Sequence, residues 1–449
     1  MKSSPLYLLI LIVLLHLLPP SAAAAANPSF PPKSLPTKSG YLPVNTTSGS
    51  AIFFAFYEAQ QPSSDLPHTP LLVWLQGGPG CSSLLGNFFE LGPWLARPNA
   101  TNATVLQSNP ASWNRLFGLV FIDNPIGTGF SIAATEAEIP RDETSVARHL
   151  FIALRALLSS DPLFKSRPLY ITGESYAGKY VPAIGYYILE QNMKLPASKR
   201  VNLQGVAIGN GLTHPIAQVA THAATAYFSG LINAMQKEQL EALQAEAIRL
   251  TREGKWRNAT DARNRVFGSL QSATGLATLF DLRRKRPYET GIVEVFLNKE
   301  EVKAALGVEK GMVWEECSDT VGNALQEDVM KSVKFMVEDL VKKSKVLLYQ
   351  GQFDLRDGVV STEAWINEME WEGLERFLAA DRKVWEMNGE VSGYVQRWGS
   401  LTHVVVSGAG HLVPADQGLS SQAMIEDWVL ERGLFGNEER NATNSHGSL

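Results

Sequence analysis

Three residues far apart in the chain have the types needed for acyl-transfer chemistry. Ser175 sits in ITGESYAGKY (171–180), where a short apolar run meets a turn of small residues and a helical pattern resumes at Tyr180. Such a turn reverses a strand sharply into a helix and projects its serine outward, the geometry written G-x-S-x-G. Here the last position is Ala177, with Gly178 one place later, so the generic pattern is only partly met. A serine hydroxyl attacks carbonyl carbon only when a base takes its proton, and that base needs a third group to orient it.

The base is sought among eight histidines. His16 lies in an apolar leader and His446 in the tail, His68 and His214 lie in Pro-containing loops, and His149 and His222 lie in helical patterns. His403 is inside a strand-like run, whereas His411 ends SGAGH, directly after a strand and a Gly-x-Gly turn. An acid between Ser175 and His411 is then expected beyond another strand end. KVLLYQGQFD (345–354) supplies Asp354; Asp357, further into the loop, is its rival.

Elements that could hold such residues recur along the chain. Apolar runs ending in turn residues occupy 70–78, 117–125, 167–175, 203–211, 345–354 and 401–411, and AIFFAFYEA reads as a further strand. Continuous rather than alternating apolar character predicts strands covered on both faces, as in a largely parallel sheet. Helical patterns such as ETSVARHLFIALRALLSS lie between them, so the class is α/β, with ligands expected beyond the carboxyl ends of the strands. Residues 213–330 break this rhythm and read as a mostly helical insertion over the active-site face. Within it Arg283, Arg284, Lys285 and Arg286 form a charge run, read as a solvated loop rather than a processing site.

The bulk properties set the context. At 449 residues and net charge -5 the chain carries no electrostatic footprint for nucleic acid or a membrane surface. Lys2, the run LYLLILIVLLHLL and the small residues after it predict a signal peptide over 1–26, a mature domain over 27–436 and a tail over 437–449. Sequons at Asn45, Asn99, Asn102, Asn258 and Asn441 fit export as a glycoprotein; Asn27 is excluded by Pro28. Cys81 and Cys317 are the only cysteines, and an even pair in an exported chain suggests one disulfide, with two free buried thiols as the alternative. No metal or other cofactor is expected, since no Cys/His cluster has ligand spacing.

The ordered motifs VWLQGGPGCSS (73–83), FFELGP (88–93), NPASWN (109–114), FIDNPIGTGFS (121–131), GESYAGKYVP (173–182), YQGQFD (349–354) and GAGHLVPADQ (408–417) resemble those of secreted serine carboxypeptidases, in particular the plant carboxypeptidase-like group. They span about residues 40 to 435, and Ala177 is itself normal in that family. The resemblance implies an α/β-hydrolase fold with a helical insertion, hydrolysis of the last peptide bond of a peptide or protein, and an extracellular or vacuolar location. It implies Ser175 as nucleophile, His411 as base and Asp354 as orienting acid, with the Gly78 and Tyr176 N–H groups as oxyanion hole. The substrate carboxylate would meet Gln76, Gly77, Glu90 and Glu174, the two acids sharing a proton because both cannot comfortably ionise together. Acidic pH should then favour peptide hydrolysis. The resemblance also implies that Cys81 and Cys317 form the bridge anchoring the GGPGCSS loop.

Three features depart from the family pattern. Gln76 replaces a usual asparagine, Gln352 stands where the residue is often acidic, and additional disulfides of the insertion are missing. Relatives with the same machinery transfer acyl groups from sugar esters, and a non-catalytic binding protein could keep the fold, so both remain alternatives.

Overall fold

The computed structural model describes residues 30–436; the expected leader, the expected tail and Asn441 lie outside them. Ten strands form one sheet: β1 (Lys38–Asn45), β2 (Ser50–Tyr57), β3 (Leu71–Leu75), β6 (Gly118–Ile122), β7 (Leu169–Glu174), β8 (Leu203–Gly209), β9 (Lys345–Gly351), β10 (Arg382–Met387), β11 (Glu390–Trp398) and β12 (Leu401–Val406). Their order is β1-β2-β6-β3-β7-β8-β9-β12-β11-β10. The six central strands, β6 to β12, are parallel, and both edges are antiparallel, so the sheet is mixed. A separate hairpin joins β4 (Trp94–Pro98) to β5 (Thr104–Ser108).

The central strands are apolar on both faces because both faces are covered. On one side Val73, Ile171, Val206 and Leu348 pack under α1 (Glu143–Ser159) and α2 (Ala177–Lys194). On the other, Leu72, Trp74, Tyr170 and Tyr349 pack against Trp428 and Ile425 of α5 (Gly418–Leu430). Asp142 caps α1 by accepting from the Ser145 N–H, which fixes where that helix starts.

Residues 213–330 are helical and irregular, without a strand. Helices α3 (Ala234–Arg252) and α4 (Trp256–Thr274) pack through Leu240, Leu250, Val266, Phe267 and Leu270 into their own apolar cluster. A capping box between Asn233 and Gln236 starts α3. The Cys81–Cys317 disulfide ties the GGPG loop to the far end of this region, 236 residues away. Among the described residues no helix is long and apolar enough to cross a membrane.

Candidate active site

Strand β7 ends at Glu174 and helix α2 begins at Ala177, which leaves Ser175 on the turn with φ +62°. This left-handed conformation is strained for a non-glycine residue, and the surroundings hold it. The Ser175 N–H donates to the Gly209 carbonyl at 3.0 Å, and the Ser175 carbonyl accepts from Gly178 and Leu212, each at 2.9 Å. A Cβ at Gly178 would lie 2.5 Å from the Leu212 nitrogen, so only glycine lets the next strand's loop close on the elbow.

His411 is buried, and its Nδ1 stands 2.7 Å from Asp354 Oδ2. An ionised carboxylate only accepts, so Nδ1 carries the proton of a neutral ring and Nε2 is left as a free acceptor. Among the described residues Nε2 has no partner. Phe280 lies along one side of the imidazole, ring centroids 4.5 Å apart, and its carbonyl accepts from the His411 N–H at 2.7 Å. Asp354 also accepts from Asn210 Nδ2 (2.8 Å), the Arg356 N–H (2.7 Å) and the Asp357 N–H (3.2 Å). The rival Asp357 makes no hydrogen bond to His411 among the described residues and meets Arg263 at 3.4 Å.

Ser175 and His411 line one cavity of about 300 Å³. Its floor is the loop Gln76-Gly77-Gly78 with Glu174, and Leu85, Phe280, Tyr288 and Leu412 add apolar wall. Gly77 lies so close to the elbow that a Cβ there would stand 2.5 Å from the Tyr176 nitrogen. Among the described residues neither the Gly78 nor the Tyr176 N–H donates to a protein acceptor.

Behind Gln76 lies an acid pair. The Trp74 indole N–H can only donate, and it meets Gln76 Oε1 at 2.9 Å. That contact assigns the amide: Nε2 faces Glu174 Oε1 at 2.7 Å and Glu90 Oε1 at 3.3 Å. Glu174 and Glu90 are both buried, and the Oε2 atom of each lacks a donor. Both carboxyl groups accept from the same Gln76 amide, and at such proximity they do not comfortably ionise together. Burial pushes Glu90 up to about 8 and, aided by the Glu90 charge, holds Glu174 well above the usual carboxylate range.

Gln76, Gly77, Gly78, Glu174, Ser175 and His411 line one cavity, Glu90 and Asp354 contact it through Gln76 and His411, and Tyr176 lines a second. Of the sequons, Asn45, Asn99, Asn102 and Asn258 are exposed. The basic run is not simply solvated: Arg283 pairs with Asp281 at 2.7 Å, and Arg284 pairs with Asp416 at 3.2 Å and stacks on Tyr288. Asp416 also accepts from the Gly410 N–H at 2.8 Å, so this loop braces the turn that carries His411. Asn210, Phe280, Trp74 and Asp416 were not identified from sequence. Only Asn210 had a signal, an amide at the carboxyl end of β8 beside the elbow.

A serine elbow at the carboxyl end of a central strand of this sheet defines an α/β-hydrolase fold. The chain belongs to the serine carboxypeptidase family, whose profile it matches over residues 28–431, and by family it is a serine-type carboxypeptidase hydrolase. It is 56% identical over 419 residues to serine carboxypeptidase-like 50 of Arabidopsis thaliana, covering 93% of each chain. It is 36% identical to a probable serine carboxypeptidase, CPVL, of Dictyostelium discoideum, over 88% of this chain and 78% of that one. The crystal structure of Kex1(delta)p, a prohormone-processing carboxypeptidase from Saccharomyces cerevisiae, superposes with a TM-score of 0.78. At 24% identity over 89% of this chain and 93% of that chain, it supports the fold alone.

Proposed function

We propose that the protein hydrolyses the C-terminal peptide bond of peptides and proteins through Ser175, His411 and Asp354. The observation that carries this reading is the bare Nε2 of His411 in a cavity shared with Ser175 and with the Gln76–Glu174 amide–acid contact. His411 takes the Ser175 proton as Oγ attacks the carbonyl carbon, and Asp354 stabilises the imidazolium that forms. The Gly78 and Tyr176 N–H groups receive the developing oxyanion, a role in which each donor is worth on the order of 3 kcal/mol of barrier. His411 then protonates the leaving amine, and water resolves the acyl-enzyme by the same steps reversed.

The free carboxylate of the departing residue binds against Gln76, the Gly77 N–H and the proton shared by Glu90 and Glu174. Two ionised acids would repel it; a protonated pair donates to it. The longer glutamine at position 76 suits this task because Trp74 anchors its oxygen while its NH2 reaches both acids. The apolar wall of Leu85, Phe280, Tyr288 and Leu412 suits an apolar C-terminal side chain. The disulfide and the exposed sequons fit a glycoprotein acting outside the cell or in a vacuole.

The test is incubation of the purified protein with an N-blocked dipeptide and, separately, with a sugar-ester acyl donor plus an alcohol. Release of the C-terminal amino acid is expected, and Ser175→Ala should lower it by about 10⁴-fold or more. Transfer from the sugar ester without peptide hydrolysis would replace this reading with an acyltransferase. Absence of both activities would leave a binding protein.

A further inference from the structure

A second cavity, of about 250 Å³, borders Ser175 on the side away from the acid pair. It shares Gly78, Ser175 and Arg356 with the first cavity, and the insertion supplies much of its wall through Thr260, Arg263 and Asn264 of α4 and through Asn323 and Gln326. If the substrate carboxylate lies against Gln76 and Glu174, the leaving residue fills the first cavity. The acyl portion then has to cross Ser175 into the second.

The charges around that second space do not cancel. Arg263 is buried, has five N–H donors, and meets Asp357 through one of them at 3.4 Å, with its guanidinium over the Phe267 ring at 4.5 Å. Asp357 is 2% exposed; its Oδ1 faces Arg263 and Gln218 Nε2 (3.5 Å), and its Oδ2 faces Arg356 at 3.9 Å. One carboxylate therefore stands between two guanidinium groups, and the lining carries a net positive charge. Arg257, nearby on α4, is engaged by Gln326 and Glu327 and does not line the cavity. Asp354 is committed to His411 and Asn210.

We propose that Arg263 and Arg356 determine acyl-side specificity, favouring substrates whose penultimate residue carries a carboxylate side chain. The proposal rests on the carboxypeptidase reading, which sets the direction in which the substrate lies. An incoming carboxylate takes up guanidinium donors that Asp357 leaves unused, whereas an ammonium would meet two like charges at close range. An aliphatic side chain would remove water from those donors without replacing its hydrogen bonds.

The experiment measures kcat/KM for four N-blocked dipeptides with a common C-terminal phenylalanine and Glu, Gln, Leu or Lys in the penultimate position. Glu is expected to exceed Gln by about tenfold and Lys by more, in line with one charge-assisted hydrogen bond gained or one like-charge contact avoided. Arg356→Gln should reduce the Glu-to-Gln ratio at least about threefold, and the double change Arg263→Gln with Asp357→Asn should bring it near one. Pairing the last two substitutions avoids leaving a buried carboxylate unpaired; if that variant does not fold, Arg356→Gln decides. Hydrolysis with Leu or Lys preferred, or an unchanged ratio in folded variants, would overturn the proposal and leave the carboxypeptidase reading intact. Turnover of none of the four by the wild type would overturn both.

Discussion

Glu174 and Tyr176, on either side of Ser175, send their side chains into two different buried acidic clusters. Glu174 joins Glu90 beside the Gln76 amide, with no cation in contact among the described residues and a cavity at its edge. Tyr176 donates to Asp328 at 3.0 Å, and Asp328 also accepts from the buried Lys179 ammonium, with Glu143 packed alongside. Both clusters hold two carboxyl groups out of water. In the second a lysine charge compensates Asp328, while burial, aided by the Asp328 charge, raises Glu143 well above the usual carboxylate range. In the first a proton must do that work, and it is available to whatever enters the cavity. Burial alone does not mark a functional acid; a missing counter-charge together with access does.

The largest effect should come from breaking the compensated cluster. Lys179→Met leaves Asp328 buried without its cation and should cost about 3–5 kcal/mol of stability, read from the urea midpoint. A loss under about 1 kcal/mol would mean the ion pair is not what holds Tyr176 in place.

Next comes Glu174→Gln, in the uncompensated cluster. It removes the shared proton but keeps the shape, so the fold should tolerate it. Peptide kcat/KM should fall about 10–100-fold, the worth of a charge-assisted hydrogen bond. Hydrolysis of a neutral ester of the same blocked amino acid should change less than about threefold. Equal losses on both substrates would make Glu174 part of the elbow's support and not a reader of the carboxylate.

The smallest effect is expected from Gln76→Asn. Asparagine is shorter by a methylene and cannot hold the Trp74 N–H while reaching both acids. KM for peptides should rise by about three- to tenfold, with ester kinetics little changed. A fall in peptide KM would show that the glutamine is a compromise and not a fitted replacement.

What could be read from sequence follows the same division. Ser175, Asp354 and His411 each end an apolar run at a strand's carboxyl end, so local pattern and topology point the same way. The central strands were legible because burial on both faces makes them continuously apolar. Strands β10 and β11 were not: β10 is the edge strand and mostly exposed, so RKVWEM reads as surface, and β11 beside it is mostly half-buried. Asp328 and Asp416 were invisible for another reason. Each acts through a partner 149 or 132 residues away, and nothing in the local sequence of either announces that meeting.

The most direct test of the account is the pH dependence of two substrates that share an acyl group, a blocked dipeptide and the corresponding neutral ester. Because burial raises Glu90 to about 8 and holds Glu174 well above the usual carboxylate range, the pair is protonated in acid and begins to lose protons as pH rises through about 8, which puts negative charge beside the substrate carboxylate. The free-enzyme profile, kcat/KM, should therefore show a peptide-to-ester ratio that is flat in acid and falls about tenfold per pH unit above about 8. A ratio that stays constant or climbs across that range would contradict carboxylate recognition by a proton shared between Glu90 and Glu174.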